Sequence, residues 1–139
     1  MLGLARTTPA PNATYILMAG DSAHHPGLLR PTQHIPLPPA LEPLVPAALQ
    51  ACARDTPFLA LPKKEVSIHH DHDTAARTLE VVRALDARED VWVILSHDGS
   101  ADAVIRCLPE TANGWAEEGM KEKTMWQFLE AKENQSYRW

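Results

Sequence analysis

Two residues that can bind a metal ion follow the two most apolar runs of the sequence. Asp21 comes after the run 14–19, and His97 comes after the run 91–95. A carboxylate can bridge two cations and an imidazole can ligate one, which is the donor chemistry of zinc and iron sites. The pair is therefore a candidate metal site. The alternative interpretation is an ordinary Gly-Asp turn and a lone polar histidine at a strand end.

Both runs are predicted to be buried β-strands. The run 14–19 contains β-forming residues and ends at Gly20-Asp21. The run 91–95 is apolar at each position, so both of its faces should be covered. In layered α/β folds, ligands and active sites gather at the carboxyl ends of strands. Asp21 and His97 thus occupy the positions where such a site forms.

Helical spacing of apolar residues predicts four helices around these strands. They cover residues 44–52, 73–85 with Asp73 as the N-cap, 101–108, and about 117–132. Strands alternating with helices indicate an α/β layered fold. The sequence supports only two or three strands, which is a small hydrophobic core for a domain that folds on its own.

Proline separates the two halves of the sequence. Eleven of the 12 prolines lie in residues 1–62. Six of them interrupt residues 26–43, which predicts a long Pro-rich surface loop because proline fixes φ and lacks a backbone donor. A loop of that length is usually functional or disordered.

A group of histidines directly precedes the predicted helix 73–85. In His69-His70-Asp71-His72-Asp73, alternate residues of an extended segment share a face and could chelate a metal. The alternative is a solvated turn that caps the helix, and we favour it. A zinc site built from His69, His70 and His72 alone remains a weaker hypothesis.

Bulk composition narrows the function classes. The chain has 139 residues, which suits one domain or part of one. Its formal net charge is -5, and proteins that bind nucleic acid usually carry positive charge instead. No apolar run approaches the roughly 20 residues of a membrane-spanning helix. No signal peptide is recognisable, and two cysteines, Cys52 and Cys107, are too few for a disulfide scaffold. We therefore expect a cytoplasmic protein with reduced cysteines and no membrane or nucleic-acid partner.

Two longer stretches of the sequence carry a family resemblance. Residues 15–31 read YILMAGDSAHHPGLLRP, and residues 91–98 read VWVILSHD. Together with the intervening helix and Trp115, they resemble the second half of metallo-β-lactamase-superfamily proteins, in particular a fungal, lactonase- or thioesterase-like group with a Gly-Asp-x-x-His-His-Pro-Gly pattern. The resemblance covers roughly residues 2–130. It implies that residues 1–139 are a single partial domain, the C-terminal half of an αββα sandwich.

The resemblance also assigns site residues. It implies that Asp21 is the metal-bridging aspartate and that His97 is the final histidine ligand. His24, His25 and Asp98 would then lie near the pocket, where they orient ligands or face the substrate. No side chain is assigned a catalytic role apart from the ligands.

The sequence departs from the family in one respect. The His-x-His-x-Asp-His motif, which supplies further ligands, does not occur in the 139 residues. A catalytic zinc usually has three protein ligands and a water. With two ligands, we expect zinc binding to be weak or absent in this chain alone.

Two hypotheses of function follow. The first is a metal-dependent hydrolase of ester, lactone or thioester bonds, incomplete and inactive as this chain alone and completed by another chain or by self-association. The second is a non-catalytic partner-binding module or pseudo-enzyme.

Overall fold

A three-stranded sheet lies at the centre of the molecule. The structure, a computed structural model, describes residues 2–49, 54–67, 69–102, 104–105 and 109–130. The strands are Gly3–Arg6 (β1), Tyr15–Gly20 (β2) and Val91–Leu95 (β3), in the order β1-β2-β3. Strand β1 is antiparallel to β2, whereas β2 is parallel to β3. The parallel pairing places the carboxyl ends of β2 and β3 at the same edge of the sheet.

Two α-helices and several short 3-10 helices surround the sheet. The α-helices are His72–Asp86 (α1) and Met120–Thr124 (α2). None of the helices in the described residues is long and apolar enough to cross a membrane. The 3-10 helices are Pro26–Leu28, Pro39–Leu44, Ala47–Leu49, Lys64–Val66, Gly99–Ala101 and Gln127–Leu129.

Both faces of β3 are covered, as the apolar run 91–95 predicts. One face packs against α1, and the other packs against Trp115 and α2. A mixed α/β architecture is thus confirmed, whereas the described residues contain no second sheet of an αββα sandwich. The buried residues on the α1 side include Leu17, Val93, Leu79 and Val82, and those on the other side are Ile16, Trp92, Trp115 and Met120.

Helix α1 begins two residues earlier than a cap at Asp73 would allow, so that prediction is wrong. The N-cap is Asp71, whose carboxylate accepts a hydrogen bond from the Thr74 backbone N–H at 2.9 Å. This bond and the Thr74 hydroxyl lower the pKa of Asp71. Asp73 lies in the first turn, where its negative charge is favourable near the helix N-terminus.

The helix predicted over 44–52 is replaced by two 3-10 turns. Pro39–Leu44 ends before Val45, and Ala47–Leu49 follows Pro46. Prolines at 43 and 46 lack the N–H groups that a continuous α-helix needs in this region. Residues 50–53, including Cys52, lie outside the described residues, as does Cys107.

The two later helices are also shorter than predicted. In place of 101–108, the structure has Gly99–Ala101 followed by turn and bend at residues 104 and 105, and residues 103 and 106–108 lie outside the described part. In place of 117–132, α2 begins only after Gly119, because that residue is left-handed with φ of 64°. Residues 131 and 132 are not among those described.

The Pro-rich segment 26–43 is not simply a surface loop. It contains 3-10 turns at both ends, and three of its own residues, Leu29, Arg30 and Pro31, are buried. Its apolar side chains pack against the 3-10 helix Gln127–Leu129. The segment is therefore part of the core that supports the sheet.

A buried ion pair joins three distant parts of the chain. The Arg30 guanidinium donates two hydrogen bonds of 2.7 Å to the Asp86 carboxylate, and the two residues are 4% and 1% exposed. A third N–H of Arg30 donates to the Met125 carbonyl at 2.8 Å. The segment after β2, the end of α1 and the segment after α2 are thus held together by one guanidinium.

Removing either partner of this pair should be strongly destabilising. We expect Arg30→Met or Asp86→Leu to lower the free energy of unfolding by about 3–5 kcal/mol, because each leaves a buried charge unpaired. Urea denaturation of the chain measures this. The double variant should recover part of the loss, since it leaves neither member of the pair as an unpaired buried charge.

The matched control is Arg88→Met. Arg88 forms a similar bidentate pair with Asp90, but its side chain is 57% exposed. Solvent screens such a pair, so this change should cost far less. Equal effects of the Arg30 and Arg88 substitutions would contradict a special role for the buried pair.

Candidate metal centre

Asp21 and His97 meet at the carboxyl ends of the two parallel strands. The register of β2 and β3 shifts between Met18 and Gly20, and Gly20 has a positive φ of 53°. This bend turns the chain so that Asp21 Oδ1 lies 2.9 Å from His97 Nε2. The two candidates taken from the ends of apolar runs are therefore neighbours in space.

His24 joins them as a third donor. One ligand atom from each of Asp21, His24 and His97 lies within 4.8 Å of the other two, and all three residues are exposed. The His24 and His97 rings stack with their centroids 5.0 Å apart. A turn closed by the Ser22 N–H and the Ala19 carbonyl at 3.1 Å brings His24 back towards the strand end.

The sequence analysis places His24 near the pocket but not among the ligands. The signal that could have shown its position is the Asp-x-x-His spacing directly after a strand, because a tight turn there brings the two side chains to one side. Hydrophobic periodicity does not include that spacing, and the pattern Gly-Asp-x-x-His-His-Pro-Gly contains it without marking His24 as a ligand.

The donor set fits a divalent transition metal. Ligand atoms on a tetrahedral zinc are about 3.4 Å apart, for bonds of about 2.0–2.2 Å. The limit of 4.8 Å in the cluster lies near that separation, so modest side-chain movements would close it. One carboxylate and two imidazoles are ligands that zinc and iron both accept.

His25 has a structural position. Its Nδ1 accepts a hydrogen bond from the Gly27 backbone N–H at 2.9 Å and thereby caps the turn Pro26–Leu28. Its ring lies edge-on to Phe128 with centroids 5.5 Å apart. Burial lowers the pKa of His25 to about 4. The ring is neutral at pH 7, with its proton on Nε2, and it anchors the turn that carries His24.

Asp98 is half-buried beside the site. Its carboxylate accepts a hydrogen bond from the Ser100 hydroxyl, and burial raises its pKa. Its predicted role in orienting His97 stays a prediction.

A cavity of about 370 Å³ opens next to Asp21. Its apolar wall includes Leu2, Ala19 and Ala75, and its polar wall includes Ser22 and His69. The Ser22 hydroxyl oxygen is buried and has no hydrogen-bond partner in the part of the chain that the structure describes. A bound group could therefore accept or donate a hydrogen bond there.

The second histidine group does not form a site of its own. His69 and His70 line the cavity, but a ring nitrogen of His72 lies 2.9 Å from the Pro62 carbonyl. Within the described ranges, Asp21, His24 and His97 form the only group of three or more His, Cys, Asp or Glu residues whose ligand atoms all lie within 4.8 Å of one another. The hypothesis of a site built from His69, His70 and His72 is therefore not supported.

Comparison with known proteins agrees with this geometry. The chain is 37% identical over 138 residues to the metallo-hydrolase mfmC of Annulohypoxylon moriforme, which covers 92% of the chain and 36% of that protein. It is 30% identical over 141 residues to the gamma-lactamase FDB1 of Fusarium pseudograminearum (strain CS3096), with 92% of the chain and 34% of that protein covered. The resemblance to metallo-β-lactamase-type proteins predicted from the sequence is thereby confirmed.

A further relative carries a different name. The chain is 36% identical over 132 residues to the cytochrome P450 monooxygenase mpaDE' of Penicillium brevicompactum, but the match covers only 14% of that protein. The chain spans about a third of the length of the first two relatives. No family model and no solved structure matches the chain.

The depressed pKa of His25 predicts a pH dependence of stability. Between about pH 4 and pH 6.5, the unfolded chain binds a proton at His25 that the folded chain does not. The free energy of unfolding should therefore fall as the pH is lowered through this window. Urea denaturation at several pH values, with a chelator present, measures it.

The matched variant is His25→Asn, which keeps an acceptor for the Gly27 N–H but does not titrate. Its stability should depend less on pH in this window than that of the parent chain. Asp98 titrates in both proteins, so its contribution cancels in the difference. Parallel pH profiles would show that His25 is not held neutral by the fold.

Proposed function

We propose that the chain supplies part of the metal centre of a metal-dependent hydrolase of metallo-β-lactamase type, acting on a small molecule with an ester, lactone, thioester or amide bond. The observation that carries this proposal is the meeting of Asp21, His24 and His97 at the carboxyl ends of β2 and β3. The names metallo-hydrolase and gamma-lactamase of two relatives support it. Zinc is the metal that we propose.

The chain's residues have distinct tasks in this proposal. Asp21 and His97 bind the ion, and their rigid strands fix the separation of the two donors. When bound, the ion supplies Lewis acidity, which activates a water and polarises a carbonyl. The cavity beside Asp21 accommodates the substrate, and the Ser22 hydroxyl hydrogen-bonds to it.

The site is incomplete as this chain presents it. Asp21 and His97 are 70% and 53% exposed, although productive metal sites are enclosed and largely dry. The His-x-His-x-Asp-His motif does not occur in the sequence. We therefore propose that further ligands come from outside this chain, on a complementing polypeptide or a second copy, and that the chain alone does not turn over substrate.

A partner-binding role is the second candidate, and one surface favours it. Strand β1 lies at an edge of the sheet, and the side chains of Leu2, Leu4 and Met18 around it are about half-exposed. Edge strands with exposed apolar groups pair readily with other chains. Sedimentation analysis discriminates, because a well-behaved monomer would argue against a missing partner.

The hydrolase proposal can be tested in a chimera. The segment of metallo-hydrolase mfmC that matches this chain is replaced by the chain itself, and hydrolysis of lactone, thioester, ester and lactam substrates is measured with zinc. We expect zinc-dependent turnover. Asp21→Ala and His97→Ala should each lower kcat by two orders of magnitude or more, since even groups that only support a ligand contribute 10–100-fold.

The control variant is His34→Ala, whose ring lies on the surface and bonds to Gln33. It should leave turnover unchanged. A folded chimera that binds zinc but hydrolyses none of the four substrate classes would contradict the proposal. Robust turnover by the 139-residue chain alone, lost on Asp21→Ala, would contradict its incompleteness.

A further inference from the structure

We propose that His69 is a fourth ligand in this chain, so that Asp21, His24, His69 and His97 alone hold one zinc ion in a closed site. The inference rests on the metal centre proposed above and extends it to a residue outside the three-donor cluster. A zinc ion bound in this way would link the segment between the Pro-rich region and α1 to the carboxyl ends of β2 and β3.

Ring separations carry the first step. Two imidazoles bound to one tetrahedral zinc through bonds of about 2.0–2.1 Å have centroids about 5.2 Å apart. The His24 and His97 rings, at 5.0 Å, already have that separation. The His24 and His69 rings are 6.5 Å apart, so His69 needs to approach by only about 1.3 Å.

The position of His69 carries the second step. Its side chain lines the same cavity as Asp21 and is half-buried, which limits how far it can move away. Its backbone N–H donates to the Ser67 hydroxyl at 3.1 Å, and the following Asp71 caps α1. The His69 backbone is thus held by a hydrogen bond, while rotation about its side-chain torsions can close the remaining distance.

The neighbouring histidines are less suited. His72 has a ring nitrogen engaged by the Pro62 carbonyl. His70 is exposed, and the ring contacts of His24 in the described residues are with His97 and His69 only. In addition, neither ring nitrogen of His69 hydrogen-bonds to another described residue, so zinc would displace no existing bond.

A closed site has a functional consequence. Four protein ligands on a tetrahedral zinc leave no position for water, which is the arrangement of structural rather than catalytic sites. This chain by itself would then bind zinc without hydrolysing substrate. Completion of the enzyme by further ligands would displace His69 and open a position on the metal.

Metal binding by the intact 139-residue chain tests the inference without any activity assay. Zinc affinity is measured by competition with a chromophoric chelator, and Co²⁺ is used as a spectroscopic probe of coordination number. We expect one ion per chain and the intense visible absorption of four-coordinate Co²⁺. His69→Ala should weaken zinc binding at least tenfold and shift the visible Co²⁺ bands, since a water then takes the place of the imidazole nitrogen.

His70→Ala is the matched control, because it removes the same side chain from the adjacent position on the same cavity. It should leave affinity and spectrum unchanged, and circular dichroism verifies that each variant is folded. If His69→Ala behaves like the parent while Asp21→Ala and His97→Ala lose zinc, His69 is not a ligand but the metal centre stands. The same conclusion follows if His70→Ala is the weaker binder.

Two other outcomes are also decisive. Half an ion per chain would mean a site shared between two copies and would overturn a site closed within one chain. No binding of zinc by the parent chain would overturn both this inference and the proposal that Asp21, His24 and His97 form a metal centre.

Discussion

The bidentate pair between Arg30 and Asp86 is the constraint on which the rest of the structure depends. The Arg30 guanidinium is buried. It makes all of its hydrogen bonds only when the segment after β2, the end of α1 and the Met125 carbonyl are correctly placed around it. Lys121 strengthens the same junction, because its ammonium donates to the Asp86, Arg88 and Val91 carbonyls at 2.7, 2.5 and 2.8 Å. Buried charges that lack one partner are costly, so the pair favours a single arrangement of these elements.

This junction also determines where the candidate site lies. The chain leaves β2 at Asp21 and must reach the buried Arg30 within nine residues, so the intervening turn is short and packed. His25 fixes that turn through the Gly27 N–H and the Phe128 ring. His24, one residue earlier, is thereby held on the opposite, exposed side next to His97. The metal donors are thus positioned by a scaffold of buried polar groups as well as by the sheet.

The sequence predicts the parts of this arrangement that depend on local apolar patterns. The runs 14–19 and 91–95 form strands because their residues can be buried on both faces, and Asp21 and His97 follow from their ends. The cap at Asp71 was missed because Asp71 and Asp73 are both good caps and only the fold selects one. The burial of Arg30 was not predicted, because a charged residue among prolines normally lies at the surface. Its partner, Asp86, is also 56 residues away in the sequence. The turn after β2 brings His24 next to the other two donors, and hydrophobic periodicity does not predict the geometry of that turn.

The exposure of the site connects its geometry with its chemistry. An electrostatic interaction loses most of its strength in water, so a metal centre with Asp21 and His97 largely exposed would activate a carbonyl poorly. The same exposure would leave a bound ion accessible to a nearby ligand, and the His69 ring lies 6.5 Å from that of His24. The exposure of the site is therefore the basis of both proposals, that this chain alone is not catalytic and that His69 is a fourth ligand. Whatever covers this edge of the sheet must both exclude water and compete with His69 for the metal.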